Sequence, residues 1–224
     1  GHQTSLVRGV DATPQDSVAL RKYRRGWSLL LAIAGLPDTK ATLTRIGELL
    51  WKAAGDDLDL LTNRIQSNLS NARQVLQATG LTAAEARQLV RTEGGLCLLD
   101  RDHVRSDVWE FLDAERTGNR ARAGGRVAEA VYAYRHARAL YVGPLLANQD
   151  ATHPWVNERV GNGLTLREAY HVQWREMTER LADLLDSAGE HAEAAPLYRE
   201  LLLDPHALPS RGRDLAGTRE AHAR

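Results

Sequence analysis

Four side-chain amides, Asn63, Gln66, Asn68 and Asn71, fall within nine residues of one stretch, and Arg64, Ser67 and Arg73 lie among and beside them. Amides pair with the donor and acceptor edges of bases in a major groove, and guanidinium groups hold phosphate or guanine. Arg91, further along the chain, can reach an adjacent phosphate. The same residues also make an ordinary solvated helix face, and both readings stand on the residues alone.

Other chemistries find less to work with. None of the eight histidines pairs with another at i,i+4, and Cys97 has no cysteine or histidine nearby, so neither a metal nor a cofactor is expected. There is no phosphate-cradling glycine loop, nucleophile elbow, kinase signature or zinc-hydrolase signature. Gly161-Asn162-Gly163 reads as a loop break, and the carboxylate pairs Asp56/Asp57 and Asp183/Asp186 read as polar helix ends or faces. The chain is not expected to be an enzyme.

Composition sets the outer limits. The 224 residues carry a formal net charge of zero, with 43% hydrophobic and 26% charged residues, as a soluble globular chain does. Zero net charge removes any bulk field that would draw in nucleic acid, so a DNA contact must rest on a local face. Residues 1–102 hold thirteen Lys/Arg and eleven Asp/Glu, a slight surplus that predicts weak, salt-sensitive binding by a monomer. Arginine outnumbers lysine 26 to three, the bias of a GC-rich coding genome. Gly1-His2-Gln3 is not a natural start and reads as a tag remnant on a piece of a larger protein. The most apolar stretch, Trp27 to Leu36, is about half the length of a membrane-spanning helix. One cysteine and no visible signal peptide make the cytoplasm the expected location.

The elements that must position the amides come next. Residues 1–20 read as a polar leader. Arg21, Lys22, Arg24 and Arg25 then introduce a helix carrying Trp27, Leu30, Leu31 and Ala34. That basic cluster can touch DNA backbone or an acidic membrane surface, or simply open a solvated helix. A second helix follows on Leu43, Ile46, Leu50 and Ala53, ending at Gly55. The third has the cleanest stripe: Leu58, Leu61, Ile65, Leu69, Ala72 and Leu76, closed by Gly80. Asn63, Arg64, Ser67, Ser70, Asn71 and Gln74 are expected opposite it. Thr82 and Glu85 have capping-box spacing, and two apolar runs around Thr92-Glu93-Gly94-Gly95 predict a short β-ribbon. Three helices followed by a ribbon is the order of a winged helix-turn-helix.

Beyond Asp100 the pattern is helical. Ser106 or Asp107 is expected to cap a helix with Val108, Phe111 and Leu112, followed by a loop of Gly118, Gly124 and Gly125. Further helices carry Val127 to Tyr141, Leu166 to Leu185 (capped by Thr165 and Glu168) and Ala194 to Leu201. Trp155 anchors the connector between them and is a candidate protein-binding residue. Gly125, Ala130, Tyr134 and Ala137 recur at the same offsets as Gly189, Ala194, Tyr198 and Leu201, a spacing that resembles the tetratricopeptide repeat.

Together the two halves resemble the bacterial transcriptional activator family, the arrangement of Streptomyces antibiotic regulatory proteins and related actinobacterial regulators. The resemblance rests on Ile46-Gly47-Glu48-Leu49-Leu50-Trp51, Asn68-Leu69-Ser70-Asn71-Ala72-Arg73, Arg91-Thr92-Glu93-Gly94-Gly95-Leu96-Cys97-Leu98 and Ser106-Asp107-Val108-Trp109-Glu110-Phe111. It continues through Ala139 to Leu146, Trp155, Leu181 to Leu185 and Asp204-Pro205, and covers about residues 26–205. It implies a mainly α chain: a leader (1–20), a winged helix with a small β-ribbon wing (21–104) and an all-α tetratricopeptide-like domain (105–224). The implied function is a regulator whose winged helix contacts DNA and whose helical domain relays a signal or binds a protein, with a homodimer as one route to tight binding. The implied DNA contacts are Asn63, Arg64, Ser67, Asn68, Asn71, Arg73 and Arg91. Two departures, the arginine-poor third helix and a leader without clear strands, support a competing reading as a protein-interaction module that does not bind DNA.

Overall fold

A computed structural model describes residues 23–52, 57–147, 152–159 and 163–205. The expected leader, Arg21, Lys22, Ala53, Gly55, Asp56, Gly161, Asn162 and the chain beyond Pro205 lie outside the described residues. Among the described residues no helix is long and apolar enough to cross a membrane.

The first helix, α1 (Arg24–Ala34), buries nearly its whole length, from Gly26 and Trp27 through Ala34. A helix apolar on every side must be wrapped on every side, and α1 is the centre about which the rest assembles. β1 (Lys40–Thr42) follows, and the Thr42 hydroxyl caps α2 (Leu43–Trp51) by accepting from the Arg45 backbone N–H at 3.1 Å. α2 stops at Trp51, where Lys52 turns left-handed at φ 53°, so the second helix is shorter than its apolar pattern predicts. α3 (Leu58–Ala78) lies against α1 and carries the expected stripe. α4 (Ala83–Leu89) begins with the anticipated capping box, both halves formed between Thr82 and Glu85.

The ribbon forms as β2 (Val90–Glu93) and β3 (Leu96–Leu99), with Gly94 and Gly95 at positive φ in the turn. It is part of a three-stranded antiparallel sheet in the order β1-β3-β2, with Ala41 opposite Cys97 and Thr92 opposite Cys97 on the other side. Val90, Cys97 and Leu99 turn inward, and burial pushes the Cys97 thiol up to about 12.

Two helix hairpins make the second half: α5 (Asp107–Ala123) with α6 (Val127–Leu140), and α7 (Leu166–Ser187) with α8 (His191–Leu203). The spaced glycines fall at the turns, Gly125 at φ 71° and Gly189 at φ 82°. Gly118 does not lie in a loop as expected. It sits inside α5, where a Cβ would come within 2.4 Å of the Tyr134 ring, so the missing side chain is what admits the tyrosine. Tyr134 donates to Asn119 Oδ1 at 2.7 Å and Tyr198 to Asp183 Oδ1 at 2.8 Å, each fifteen residues back. The same contact therefore repeats with the sequence spacing.

Side chains of the second half terminate α1. Ser106 Oγ donates to the Ala34 carbonyl at 3.0 Å, Tyr170 Oη to Gly35 at 2.6 Å and Trp109 Nε1 to Leu36 at 3.0 Å. The last carbonyls of a helix have no partner within it; here buried donors from α5, its N-cap and α7 take the carbonyl of Ala34, the last residue of α1, and those of Gly35 and Leu36, which follow it. Ser106 is thus the N-cap residue of α5, but its hydroxyl is spent on α1 and leaves α5 without a side-chain cap. One apolar cluster runs through both halves, from Leu30 and Ile65 to Tyr170 and Met177.

Candidate nucleic-acid interface

α3 has two faces because α1 and α2 cover one of them. Leu61, Ile65, Leu69, Ala72, Val75 and Leu76 are buried, and Asn63, Arg64, Gln66, Ser67, Ser70 and Gln74 are exposed. Two glycines allow the close approach. A Cβ on Gly26 would stand 2.3 Å from the Ala72 backbone nitrogen, and one on Gly47 would stand 2.5 Å from Leu61. The result is a row of amides and hydroxyls along the outer side of α3.

The hairpin is fastened to the edge of this row. Gln66 Nε2 donates to Thr92 Oγ1 at 3.1 Å, and Arg73 gives Nε and Nη2 to the Val90 carbonyl at 3.2 and 3.1 Å. On the opposite flank the Arg64 guanidinium lies over the Trp51 ring, 5.5 Å from its centroid. Arg91, exposed on β2, donates to the Gln88 carbonyl at 2.9 Å and pairs with Glu93 at 3.6 Å. Of the three arginines expected to line the DNA surface, Arg73 and Arg91 therefore stand on the hairpin flank and Arg64 on the opposite one.

Three expected site residues are placed against their assigned roles. Asn68 is 4% exposed and donates to the Arg64 carbonyl at 2.8 Å, so its amide faces the core and not a groove. It falls three residues after Ile65 and four before Ala72, within the buried stripe, and that spacing was the signal for it. Arg73 is half-buried and serves the α3–β2 joint. Trp155, in the single-turn 3-10 helix Pro154–Asn157, is 3% exposed and donates to Ser28 Oγ at 3.1 Å, which makes it a packing anchor between the connector and α1. Asn71 is half-exposed at the margin of the row. Ser70 and Gln74 join the row, though sequence reasoning gave them no contact role.

Beside Trp155, His153 is 1% exposed and shares a 3.3 Å hydrogen bond with Ser28 Oγ. Burial, with a smaller effect of the Arg24 charge, lowers its imidazole to about 4. It is neutral at physiological pH.

Among the described residues no group of three or more His, Cys, Asp or Glu could hold a metal ion. A Tyr141–His171–Asp204 chain, at 3.1 and 2.7 Å, has the atom order of a proton relay. Its surroundings make it a clamp. The Tyr141 ring stacks on Trp174 at 5.4 Å, and Arg175 also holds Asp204 at 2.5 Å, closing the end of α8 onto α7. Burial and the Asp204 charge push the Tyr141 phenol up to about 12.

Comparison with known families places one landmark on this geometry. Residues 106–209 match the family model of the bacterial transcriptional activator domain, a transcription-regulator-type domain. The match opens at Ser106, the residue bonded to Ala34, and takes in α5 to α8, just under half of the chain. No curated protein and no solved structure matches the chain.

Proposed function

We propose that the chain is a module of a transcriptional regulator: its N-terminal half, a winged helix-turn-helix, contacts duplex DNA, and its tetratricopeptide-like helical half takes a protein partner. The observation that carries the DNA reading is the exposed row Asn63, Gln66, Ser67, Ser70 and Gln74, bordered by a hairpin held to it through Gln66 and Arg73. Amides and hydroxyls offer both donors and acceptors, which is what base edges in the major groove require. Asn71 lies at the margin of the row, Arg64 flanks it, and Arg91 extends it along the hairpin.

Affinity follows from charge. A surface with few cations releases few counterions, so binding is weak in a monomer and its dependence on salt is shallow. A homodimer, or a second site in a longer parent protein, supplies the rest. The transcription-regulator-type match over residues 106–209 supports the regulatory half of this reading, and the cytoplasm, where a bacterial chromosome lies, is its place of work.

Selection from a random duplex pool at low salt tests the proposal. Enrichment of a common sequence that shifts in Asn63→Ala and Ser67→Ala supports it, and no enrichment by the soluble chain overturns it. A second reading, a protein-interaction module that has lost DNA contact, is favoured by the internal use of Arg73 and the pairing of Arg91 with Glu93. In that case the amide row meets a protein.

A further inference from the structure

If α3 addresses a duplex, its own arginines do little for the phosphates, because Arg73 is tied to Val90 and Arg64 is stacked on Trp51. Uncompensated positive charge lies one residue from the α1–α3 crossing. Arg24 and Arg25 are both exposed at the start of α1, and among the described residues no carboxylate pairs with either. With Arg21 and Lys22 the sequence holds four cations in five residues. Gly26, next in the chain, is the point where α1 meets α3: a Cβ there would lie 2.4 Å from the Asn71 carbonyl carbon and 2.3 Å from the Ala72 nitrogen. Consecutive Cα atoms are about 3.8 Å apart, so Arg25 leaves the backbone one step from Gly26, which itself meets Asn71 at the margin of the amide row.

We propose that Arg24 and Arg25 contact backbone phosphates of the same duplex whose bases the α3 row addresses. This assignment rests on the DNA reading above and supplies the positioning contacts that reading lacks. An anionic lipid surface is the less suited partner. Surface-binding helices combine cations with an apolar anchor, whereas Gly26 and Trp27 beside these arginines are turned into the core.

The test is an anisotropy titration of the full chain with a labelled duplex of mixed sequence, about 20 base pairs long, over about 50 to 200 mM salt. Phosphate contacts do not depend on sequence, so no operator is needed. The Arg24→Gln/Arg25→Gln variant is expected to bind about 10-fold more weakly at low salt and to lose about 1.8 from the log–log salt slope. Its thermal melt stays unchanged, since both side chains are exposed. Asn63→Ala/Ser67→Ala, measured in parallel, reports on α3 alone. Wild-type binding with affinity and slope unchanged in the arginine variant overturns the assignment and leaves the α3 reading intact. Binding that needs the arginines, with no common sequence enriched from the random duplex pool, overturns the α3 reading instead. No binding to the duplex, or binding only to vesicles of phosphatidylserine and phosphatidylcholine, overturns both.

Discussion

The Tyr170 hydroxyl donates to the Gly35 carbonyl at 2.6 Å, joining positions 135 residues apart. With Ser106 and Trp109 on the neighbouring carbonyls, it makes the end of α1 a structure that the first half cannot complete alone. Burial, aided by the charge of Asp38, raises the phenol above its ordinary range, so it stays a donor at any working pH.

Breaking this joint has a defined cost. Tyr170→Phe leaves a buried carbonyl unsatisfied and is expected to lose about 1–3 kcal/mol, as is Trp109→Phe. Urea titrations read by far-UV circular dichroism and by tryptophan fluorescence check it. Because α1 is shared, the two signals are expected to fall together in one transition.

Close helix approaches give a second expectation. Gly26→Ala drives a Cβ into the α3 backbone, whereas Gly118→Ala drives one into the Tyr134 ring, which has some freedom to yield. Gly118→Ala is expected to cost about 1–3 kcal/mol, and Gly26→Ala more. Tyr134→Leu combined with Gly118→Ala recovers part of the loss, and a double-mutant cycle measures that coupling.

A third concerns Asn68. Its Oδ1 is buried and receives no hydrogen bond from the described residues, while its Nδ2 serves a carbonyl of its own helix. Asn68→Leu, close in volume, removes the unsatisfied acceptor and is expected to raise stability by about 1 kcal/mol. Denaturant midpoints compare the two chains. A loss of stability would contradict the buried placement.

These cases also show which parts of the molecule can be read from the chain. Both capping boxes, Thr82/Glu85 and Thr165/Glu168, were legible because every participant lies within four residues. The α3 stripe and the Gly94-Gly95 turn were legible for the same local reason. β1 was not: Lys40-Ala41-Thr42 carries no apolar run, and pairing with β3 alone makes it a strand. Gly118 was misread as a loop because the reason for a glycine there is Tyr134, sixteen residues on. Arg73 and Trp155 were assigned outward roles because nothing near them in sequence names Val90 or Ser28 as their partner. The amide row was legible as a face, but Asn68 was counted among its DNA contacts although its place between Ile65 and Ala72 puts it in the buried stripe.

The fourth expectation is a pH dependence centred on His153. Its folded pKa of about 4 lies below the ordinary value of 6.5. Above pH 6.5 the imidazole is neutral in both states and its share of stability is complete. Between pH 6.5 and 4 the unfolded chain takes up a proton that the fold refuses, so stability falls as pH falls. From pH 7 to 5 the loss is about 2 kcal/mol. Urea midpoints across that range check it, and His153→Gln is expected to flatten the dependence.

The amide row itself can be watched directly. The full chain, labelled with 15N, is titrated at low salt with a mixed-sequence duplex, and the side-chain NH2 signals of Asn63, Gln66, Asn68, Asn71 and Gln74 are followed beside the backbone. A duplex seated on α3 shifts Asn63, Gln66 and Gln74 together with the backbone of Ser67, Ser70 and the β2–β3 hairpin, and leaves the buried Asn68 amide unmoved. Signals that stay in place along α3, or shifts confined to residues 107–203, would contradict the account.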